Sequence, residues 1–280
     1  MFETQVTLNC GGHLLSLEKP IAMGILNITP DSFYDGGLYL DEHSILRQVE
    51  KMLAEGADII DLGGMSSRPG ALNISTEEEL NRVIPVIDMI CRQFPGIPIS
   101  IDTIKARVAQ EAVQAGATIV NDISAGKMDD QMYNTVARLG VPYVLMHMKG
   151  QPENMQKKPE YEDVVEEVLD FFISEIGQLR ALGVKDIILD PGFGFGKTIM
   201  HNYTLLKKLH VFNMLNLPIL AGISRKSMIY KVLGTDAQHA LNGTSSLHMI
   251  AMQQGAKILR THDVKEAVEV IKLWEQLENA

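Results

Sequence analysis

The chain is poor in cysteine, in basic charge and in long apolar runs, and each shortage excludes a class of protein. Its 280 residues include two cysteines, Cys10 and Cys91, outside any CxxC pair, which argues against a structural zinc site or a disulfide framework. The formal net charge is -10, so no nucleic-acid partner is expected. No apolar stretch reaches the ~18 residues of a membrane span, and the N-terminus lacks a signal-peptide pattern. We therefore expect a cytoplasmic protein without membrane contact.

A short apolar run followed by a helical stretch recurs eight times along the chain. The runs are rich in Ile, Leu and Val and almost continuous, as expected of parallel strands buried on both faces. They begin at Ile21, Asp58, Pro98, Thr118, Pro142, Asp186, Pro218 and Lys257. Several helical stretches close with a glycine, the usual left-handed C-cap residue. These glycines are Gly56, Gly116, Gly140, Gly183 and Gly255.

Eight units of about 35 residues predict a single (β/α)8 TIM-barrel domain over residues 1–280. An open, doubly wound sheet is the alternative. The first 19 residues have the pattern of a β-hairpin, which we place at the N-terminal end of the barrel, closing its bottom. Ser75 followed by Glu78 predicts a capping box at the start of one helix, and Pro85 predicts a kink within it.

Polar side chains stand at nearly every strand exit, which is where barrel enzymes bind their substrates. They are Asn27, Asp61, Asp102, Asn121, Asp122, His147, Asp190, Ser224, Arg225, Lys226, Arg260, His262 and Asp263. Asp102, Asn121 and Asp190 could pair with the N–H donors of a flat heterocycle such as an aminopyrimidinone. The cationic or donating groups fit a phosphate or diphosphate leaving group. They are Arg68, Lys226, Arg260 and His262.

Each of these residues also has an ordinary structural interpretation. Asp263 stands where a helix begins, so N-capping is its favoured role. Asp61 and Asp122 could equally cap the loops that follow them, and His147 is expected to be a core histidine with its hydrogen bonds satisfied. The others could be helix caps, turn residues or surface charges: Asp102, Asp190, Arg225 and Lys226. The complete set, rather than any one member, indicates a site.

Three segments are rich in glycine or proline. NITPDSFYDGGLY and GGMSSRPGALNIS follow the first two strands and are long for such connections, as lids often are, although ordinary turn chemistry is the alternative. DPGFGFGKT is similar to a phosphate-binding loop but lacks its GxxxxGK spacing.

Seven ordered motifs together resemble the dihydropteroate synthases of the bacterial folate pathway, over Met23 to Val268. The motifs are MGILNITPDSFYDGG, SSRPGA, SIDT, NDIS, DPGFGFGKT, GISRKSMI and LRTHDVKEA. The resemblance implies a (β/α)8 transferase that joins 6-hydroxymethyl-7,8-dihydropterin diphosphate to p-aminobenzoate, giving 7,8-dihydropteroate and pyrophosphate with Mg2+. It also implies a homodimer paired through the late helices. We expect a dissociative reaction, in which C–O cleavage runs ahead of attack by the amine.

The same resemblance implies roles for residues at matching motif positions. The pterin would be held by Asp102, Asn121, Asp190 and Lys226, with Met146 and Phe195 lining its cavity and Gly222 admitting the ring. The diphosphate would be held by Ser67, Arg68, Arg260 and His262, and the metal by Asn27. The p-aminobenzoate pocket would be bordered by Phe33, Pro69 and Ser227. The predicted catalytic residues are Lys226, Asp102, Arg260 and His262.

The second loop departs from the family pattern. It has GGMSSRPG where the family has GGESTRPG, so Met65 replaces an acid and Ser67 replaces a threonine. Ser67 keeps the hydroxyl, whereas Met65 puts the packing or closure of the loop in question.

The motifs also weigh against three other functions. A corrinoid methyltransferase that uses methyltetrahydrofolate should lack SRPG and SRKS, and both are present. A pterin-binding protein without catalysis should lack the anion-site residues, which are in place. A generic phosphate-handling barrel would not explain Asp102, Asn121 and Asp190 together.

Overall fold

The computed structural model describes residues 5–28, 34–35, 39–65, 74–150, 155 and 159–280. Four of the predicted site residues, Phe33, Ser67, Arg68 and Pro69, lie outside these ranges, as do most of the two predicted lid segments.

The chain opens with the predicted hairpin, formed by β1 (Thr7–Cys10) and the antiparallel β2 (His13–Ser16). Gly11 and Gly12 form its tight turn with φ of +64° and +95°, which only glycine adopts at little cost. The buried side chains of Leu8, Cys10 and Leu17 pack with the first inward-facing residues of the barrel strands. The hairpin therefore closes the N-terminal end of the barrel, as predicted.

The barrel strands are β3 (Ile21–Asn27), β6 (Ile59–Gly63), β7 (Ile99–Asp102), β8 (Ile119–Asp122), β9 (Tyr143–Met146), β10 (Ile187–Asp190), β11 (Ile219–Ala221) and β12 (Ala256–Thr261). These eight parallel strands close in the order β10-β11-β12-β3-β6-β7-β8-β9, which confirms the predicted (β/α)8 fold and excludes the open sheet. Closure occurs at β3, where Met23 pairs with both Ile59 and Arg260. A short antiparallel pair, β4 (Tyr34–Asp35) and β5 (Tyr39–Leu40), lies in the connection after β3.

Helices surround the barrel and bury one face each. They are α1 (Glu42–Ala54), α2 (Thr76–Gln93), α3 (Ala106–Ala115), α4 (Met132–Leu139), α5 (Val164–Ala181), α6 (Ile199–Lys207), a 3-10 helix (Leu209–Leu215), α7 (Ser227–Tyr230), α8 (Leu241–Gln253) and α9 (Val264–Glu278). All five predicted C-cap glycines have positive φ, between +66° and +121°. Within the described ranges no helix is long and apolar enough to cross a bilayer.

The capping box predicted at the start of α2 is confirmed in one of its two hydrogen bonds. The Ser75 hydroxyl accepts a hydrogen bond from the Glu78 N–H at 3.1 Å, as predicted. The Glu78 carboxylate, however, pairs with Arg82 one turn later, so the reciprocal bond of a capping box is replaced by an ion pair. Pro85 is accommodated inside α2, which continues to Gln93.

Candidate active site

Three polar residues on the adjacent strands β6, β7 and β8 gather beside Arg260 on one side of the barrel mouth. The guanidinium donates from Nε to Asp61 Oδ2 at 2.6 Å and from Nη2 to Asp102 Oδ2 at 2.7 Å. Asn121 Nδ2 lies 3.2 Å from both oxygens of Asp61. Burial, partly opposed by Arg260, raises the pKa of Asp102. Arg260, Asp102 and Asn121 therefore meet at one place, as predicted.

Two structural interpretations at this side of the mouth are wrong. Asp61 does not cap a loop, because it points into the barrel from the middle of β6 and its carboxylate binds Arg260 and Asn121. Asp102 does not cap the next helix, since α3 begins three residues after Thr103, with Lys105 at the cap position. In both cases a partly buried arginine on the last strand is the stronger partner for the carboxylate.

Asp190 and Lys226 face one another across the opposite side of the mouth. A Cβ atom placed on Gly222 would lie 3.7 Å from both Asp190 Oδ2 and Lys226 Nζ, so glycine leaves a gap between the two charges. Asp190 Oδ1 accepts the Gly192 N–H at 2.7 Å. Burial raises the pKa of Asp190, and the Lys226 charge opposes this shift. Gly222 thus occupies a place where a flat ring could approach the backbone.

Lys226 is not a surface charge. Its ammonium donates to the Phe193 carbonyl and lies 4.7 Å from the centroid of the Phe195 ring. Burial lowers the pKa of Lys226 to about 8, against the opposing effect of Asp190. Phe195, predicted to line the pterin cavity, therefore stacks against the predicted pterin-binding lysine.

A small apolar cluster, separate from the main core, lies between these two sides. Its buried members are Ile104, Ile123 and Met146, against which Met65, Met148 and Phe195 pack. Met146 and Phe195 are thus brought together, as expected for residues lining one cavity. Met65, which replaces an acid of the family motif, packs here as a partly buried apolar side chain, and a carboxylate at this position would be partly desolvated.

The predicted anion side contains His262, which is exposed just after β12. Its Nδ1 lies 3.2 Å from Ser224 Oγ, and its backbone N–H donates to the same oxygen at 3.2 Å. Next to it, Arg225 has a left-handed backbone with φ of +55°. Its guanidinium donates to the Asp263 carboxylate from Nε at 2.8 Å and from Nη2. The predicted N-cap bond of Asp263 is therefore wrong: Asp263 occupies the cap position of α9, but its carboxylate binds Arg225.

Lys197 holds the glycine-rich segment in place. Its Nζ lies 2.9 Å from His147 Nδ1 and donates to three backbone carbonyls, those of His147, Gly192 and Phe195, at 3.0 to 3.2 Å. Burial, with Lys197 as the next cause, lowers the pKa of His147 to about 2, so this histidine is a neutral core residue, as predicted. Lys197 is the lysine of this segment, and its ammonium is bound by the protein's own carbonyl groups. The segment therefore does not present a lysine to a phosphate as a phosphate-binding loop does.

Asp122 has the structural role that we predicted. Its carboxylate accepts from the Ser124 and Gly126 N–H groups, both at 2.7 Å, and from the Tyr143 hydroxyl at 2.7 Å. It thereby fixes the loop after β8, next to Asn121.

Asn27, the predicted metal ligand, ends β3 beside this group. Its amide oxygen lies 3.6 Å from a Cβ atom placed on Gly63, and Asp102 Cβ lies at the same distance. In the part of the chain that the structure describes, no three His, Cys, Asp or Glu side chains are grouped to hold a metal. A lone amide oxygen suits Mg2+, which keeps most of its waters and binds substrate phosphates.

The fold and the site define a barrel enzyme whose mouth brings carboxylate and amide groups together with cationic side chains. The family model described as pterin binding enzyme matches residues 23–262. This class of protein agrees with the carboxylate and amide groups on one side and the cations on the other.

Comparison with individual proteins narrows the class. The dihydropteroate synthase of Escherichia coli (strain K12) is 46% identical over 266 residues, covering 94% of each chain. A crystal structure of the Yersinia pestis dihydropteroate synthase with a sulfonamide drug has a TM-score of 0.91 at 42% identity, covering 98% of this chain and 100% of that one. The Xanthomonas albilineans dihydropteroate synthase with 4-aminobenzoic acid has a TM-score of 0.92 at 40% identity, covering 99% and 100%. The chain belongs to the dihydropteroate synthase family of pterin-binding enzymes.

Proposed function

We propose that this protein condenses 6-hydroxymethyl-7,8-dihydropterin diphosphate with p-aminobenzoate to give 7,8-dihydropteroate and pyrophosphate. The observation that carries the proposal is the convergence of Asp102, Asn121 and Asp190 with Lys226 and Arg260 at one barrel mouth. Carboxylate and amide oxygens suit the N–H groups of the pterin, and the cations suit its diphosphate. The 4-aminobenzoic acid of the Xanthomonas structure supports the second substrate.

The reaction we propose is dissociative. The carbon that carries the diphosphate is attached to an electron-rich ring, so the C–O bond can break before the C–N bond forms. Arg260 and His262 would stabilise the leaving diphosphate, and an ionised Asp102 or Asp190 would stabilise the positive charge that develops on the ring. The neutral arylamine then attacks and loses its proton, so no strong general base is required.

Mg2+ is part of this proposal. Asn27 would hold it through the amide oxygen that faces Gly63, with the substrate diphosphate supplying further oxygen ligands. When bound, the ion would neutralise charge on the diphosphate and make it a better leaving group.

The assembly and location that we propose are a homodimer and the cytoplasm. Large apolar side chains stand exposed on the late helices, with Ile250 on α8 and Leu273 and Leu277 on α9. Such side chains on two packed helices suit burial against a second copy. A Leu273→Glu change should then shift the sedimentation coefficient to that of a monomer. An unchanged coefficient would show that α9 is not part of the interface.

The proposed cytoplasmic location agrees with the free thiols of Cys10 and Cys91, which are typical of a reducing compartment.

Steady-state kinetics with a sulfonamide test the proposed function. We expect the sulfonamide to compete with p-aminobenzoate and not with the pterin diphosphate, because the Yersinia enzyme binds such a drug. Lys226→Ala should cut turnover by weakening the pterin contacts. Unchanged kinetics in Lys226→Ala would show that this lysine does not contact the substrate. Absence of competition between the sulfonamide and p-aminobenzoate would contradict the proposed p-aminobenzoate pocket.

A further inference from the structure

Arg260 binds two carboxylates, and one of them, Asp102, belongs to the proposed ring site. It donates to Asp61 at 2.6 Å and to Asp102 at 2.7 Å. The proposed function, on which this inference rests, needs Asp102 for the pterin ring and Arg260 for the diphosphate. The nitrogen and the oxygen that join Arg260 to Asp102 are therefore both groups that the proposed substrate would engage.

The two carboxylates differ in how firmly they are committed. Asp61 is fully buried, and both of its oxygens lie 3.2 Å from Asn121 Nδ2 while Oδ2 also accepts Arg260 Nε. Asp102 is 9% exposed, ends its strand, and meets Arg260 only through the terminal Nη2. Asp61 thus holds the inner edge of the guanidinium, whereas Asp102 holds the end that faces the mouth.

We propose that Asp61 is a positioning residue that anchors Arg260 and Asn121 together, and that substrate binding moves Arg260 Nη2 from Asp102 to the diphosphate. Nε remains on Asp61 throughout, so the guanidinium pivots instead of leaving the site. The exchange frees Asp102 to accept N–H donors from the ring and presents Arg260 to the leaving group. One buried carboxylate thereby couples the heterocycle pocket to the anion pocket.

Removing the charge of Asp61 should therefore affect both halves of the substrate. Without Asp61, Arg260 has Asp102 as its remaining partner and is retained there, which blocks the ring site and withdraws a cation from the diphosphate site. Asn121 loses the charged acceptor that orients its amide. Removing the charge of Asp102 has a different effect, because it empties only the ring site and leaves Arg260 anchored.

Calorimetric titration with the two halves of the substrate separates these effects. The probes are 6-hydroxymethylpterin and inorganic pyrophosphate with Mg2+, titrated into the full chain and its variants. Asp61→Asn should weaken both probes by about tenfold or more, as for loss of one partner of a buried charge pair. Asp102→Asn should weaken the pterin by about tenfold and leave pyrophosphate unchanged or bound more tightly.

Asp58→Asn is the matched control, because Asp58 precedes the same strand at the opposite end of the barrel, where it accepts the Ala22 N–H at 3.0 Å. We expect it to leave the affinity for both probes unchanged. Thermal unfolding of each variant shows whether it folds. If Asp61→Asn does not fold, Asp102→Asn decides: a tenfold loss of pyrophosphate affinity there would show that Asp102 is the anchor.

The outcomes keep this inference distinct from the proposed function. A wild-type chain that binds neither probe would contradict the proposed function. A wild-type chain that binds both, with Asp61→Asn behaving like Asp58→Asn or weakening one probe alone, would overturn the pivot and leave the proposed function standing.

Discussion

Replacing Gly192 by alanine should damage both the stability and the activity of the protein, far more than the same change at Gly140. The two glycines have nearly the same left-handed backbone, with φ of +67° and +66°. A Cβ atom on Gly192 would overlap the His147 carbonyl oxygen and lie 3.1 Å from its carbon, whereas one on Gly140 meets nothing within 4 Å. Comparing the two variants therefore separates the cost of the steric overlap from the cost of the left-handed backbone.

The expected magnitudes follow from these two terms. A left-handed conformation costs an L-residue about 1–2 kcal/mol, which is the whole expected loss for Gly140→Ala. Overpacking adds about 1–3 kcal/mol at Gly192, so its total is about 2–5 kcal/mol. The overlapping atom is backbone, which cannot move aside as a flexible side chain would.

The activities of the two variants should differ in the same way as their stabilities, because the Gly192 N–H donates to Asp190 at 2.7 Å. A shift of this turn displaces the Asp190 carboxylate, so kcat/KM for the pterin diphosphate should fall in Gly192→Ala and remain unchanged in Gly140→Ala. Urea unfolding and initial-rate kinetics on the two variants provide the test. Equal losses of stability at the two positions would refute the close-approach argument.

Three further predictions concern the lysine, the hairpin and the loop after β11. Because burial lowers the pKa of Lys226 to about 8, its ammonium is lost as the pH rises through that value, and kcat/KM for the pterin diphosphate should fall there. A pH profile of Lys226→Met that retains this alkaline limb would contradict the assignment. Leu8→Ala should lower the free energy of unfolding by about 2–5 kcal/mol without changing KM, while the exposed Leu14→Ala stays within about 0.5 kcal/mol in urea titrations. Asp263→Ala should reduce kcat/KM by about tenfold, since it releases the segment that carries Lys226. The exposed Arg107→Ala is its control, and equal kinetics in both would refute the role.

The fold follows closely from local patterns in the sequence. The inner strands are continuous apolar runs because both of their faces are buried, and the glycines that end the helices have the positive φ that this position requires. The hairpin was predictable from Gly11 and Gly12 between two short alternating segments. Such features depend on neighbours in the chain, which the sequence displays directly.

The side-chain partners in the site could be predicted only in part. Asp61 and Arg260 are separated by 199 residues, and only barrel closure brings their strands to one mouth. A local pattern therefore permits loop capping for Asp61 and favours N-capping for Asp263, whereas arginines distant in the sequence bind both carboxylates. The motif resemblance could place Arg260 in the site, but the strand registers decide which carboxylate it meets.

Product analysis with each substrate omitted in turn tests the central claim most directly. The protein would be incubated with the pterin diphosphate, p-aminobenzoate and Mg2+, and dihydropteroate and pyrophosphate would be quantified in the same sample. The account predicts equal amounts of the two products, with dihydropteroate formed only when both substrates are present. Binding of the pterin diphosphate without any dihydropteroate would contradict it.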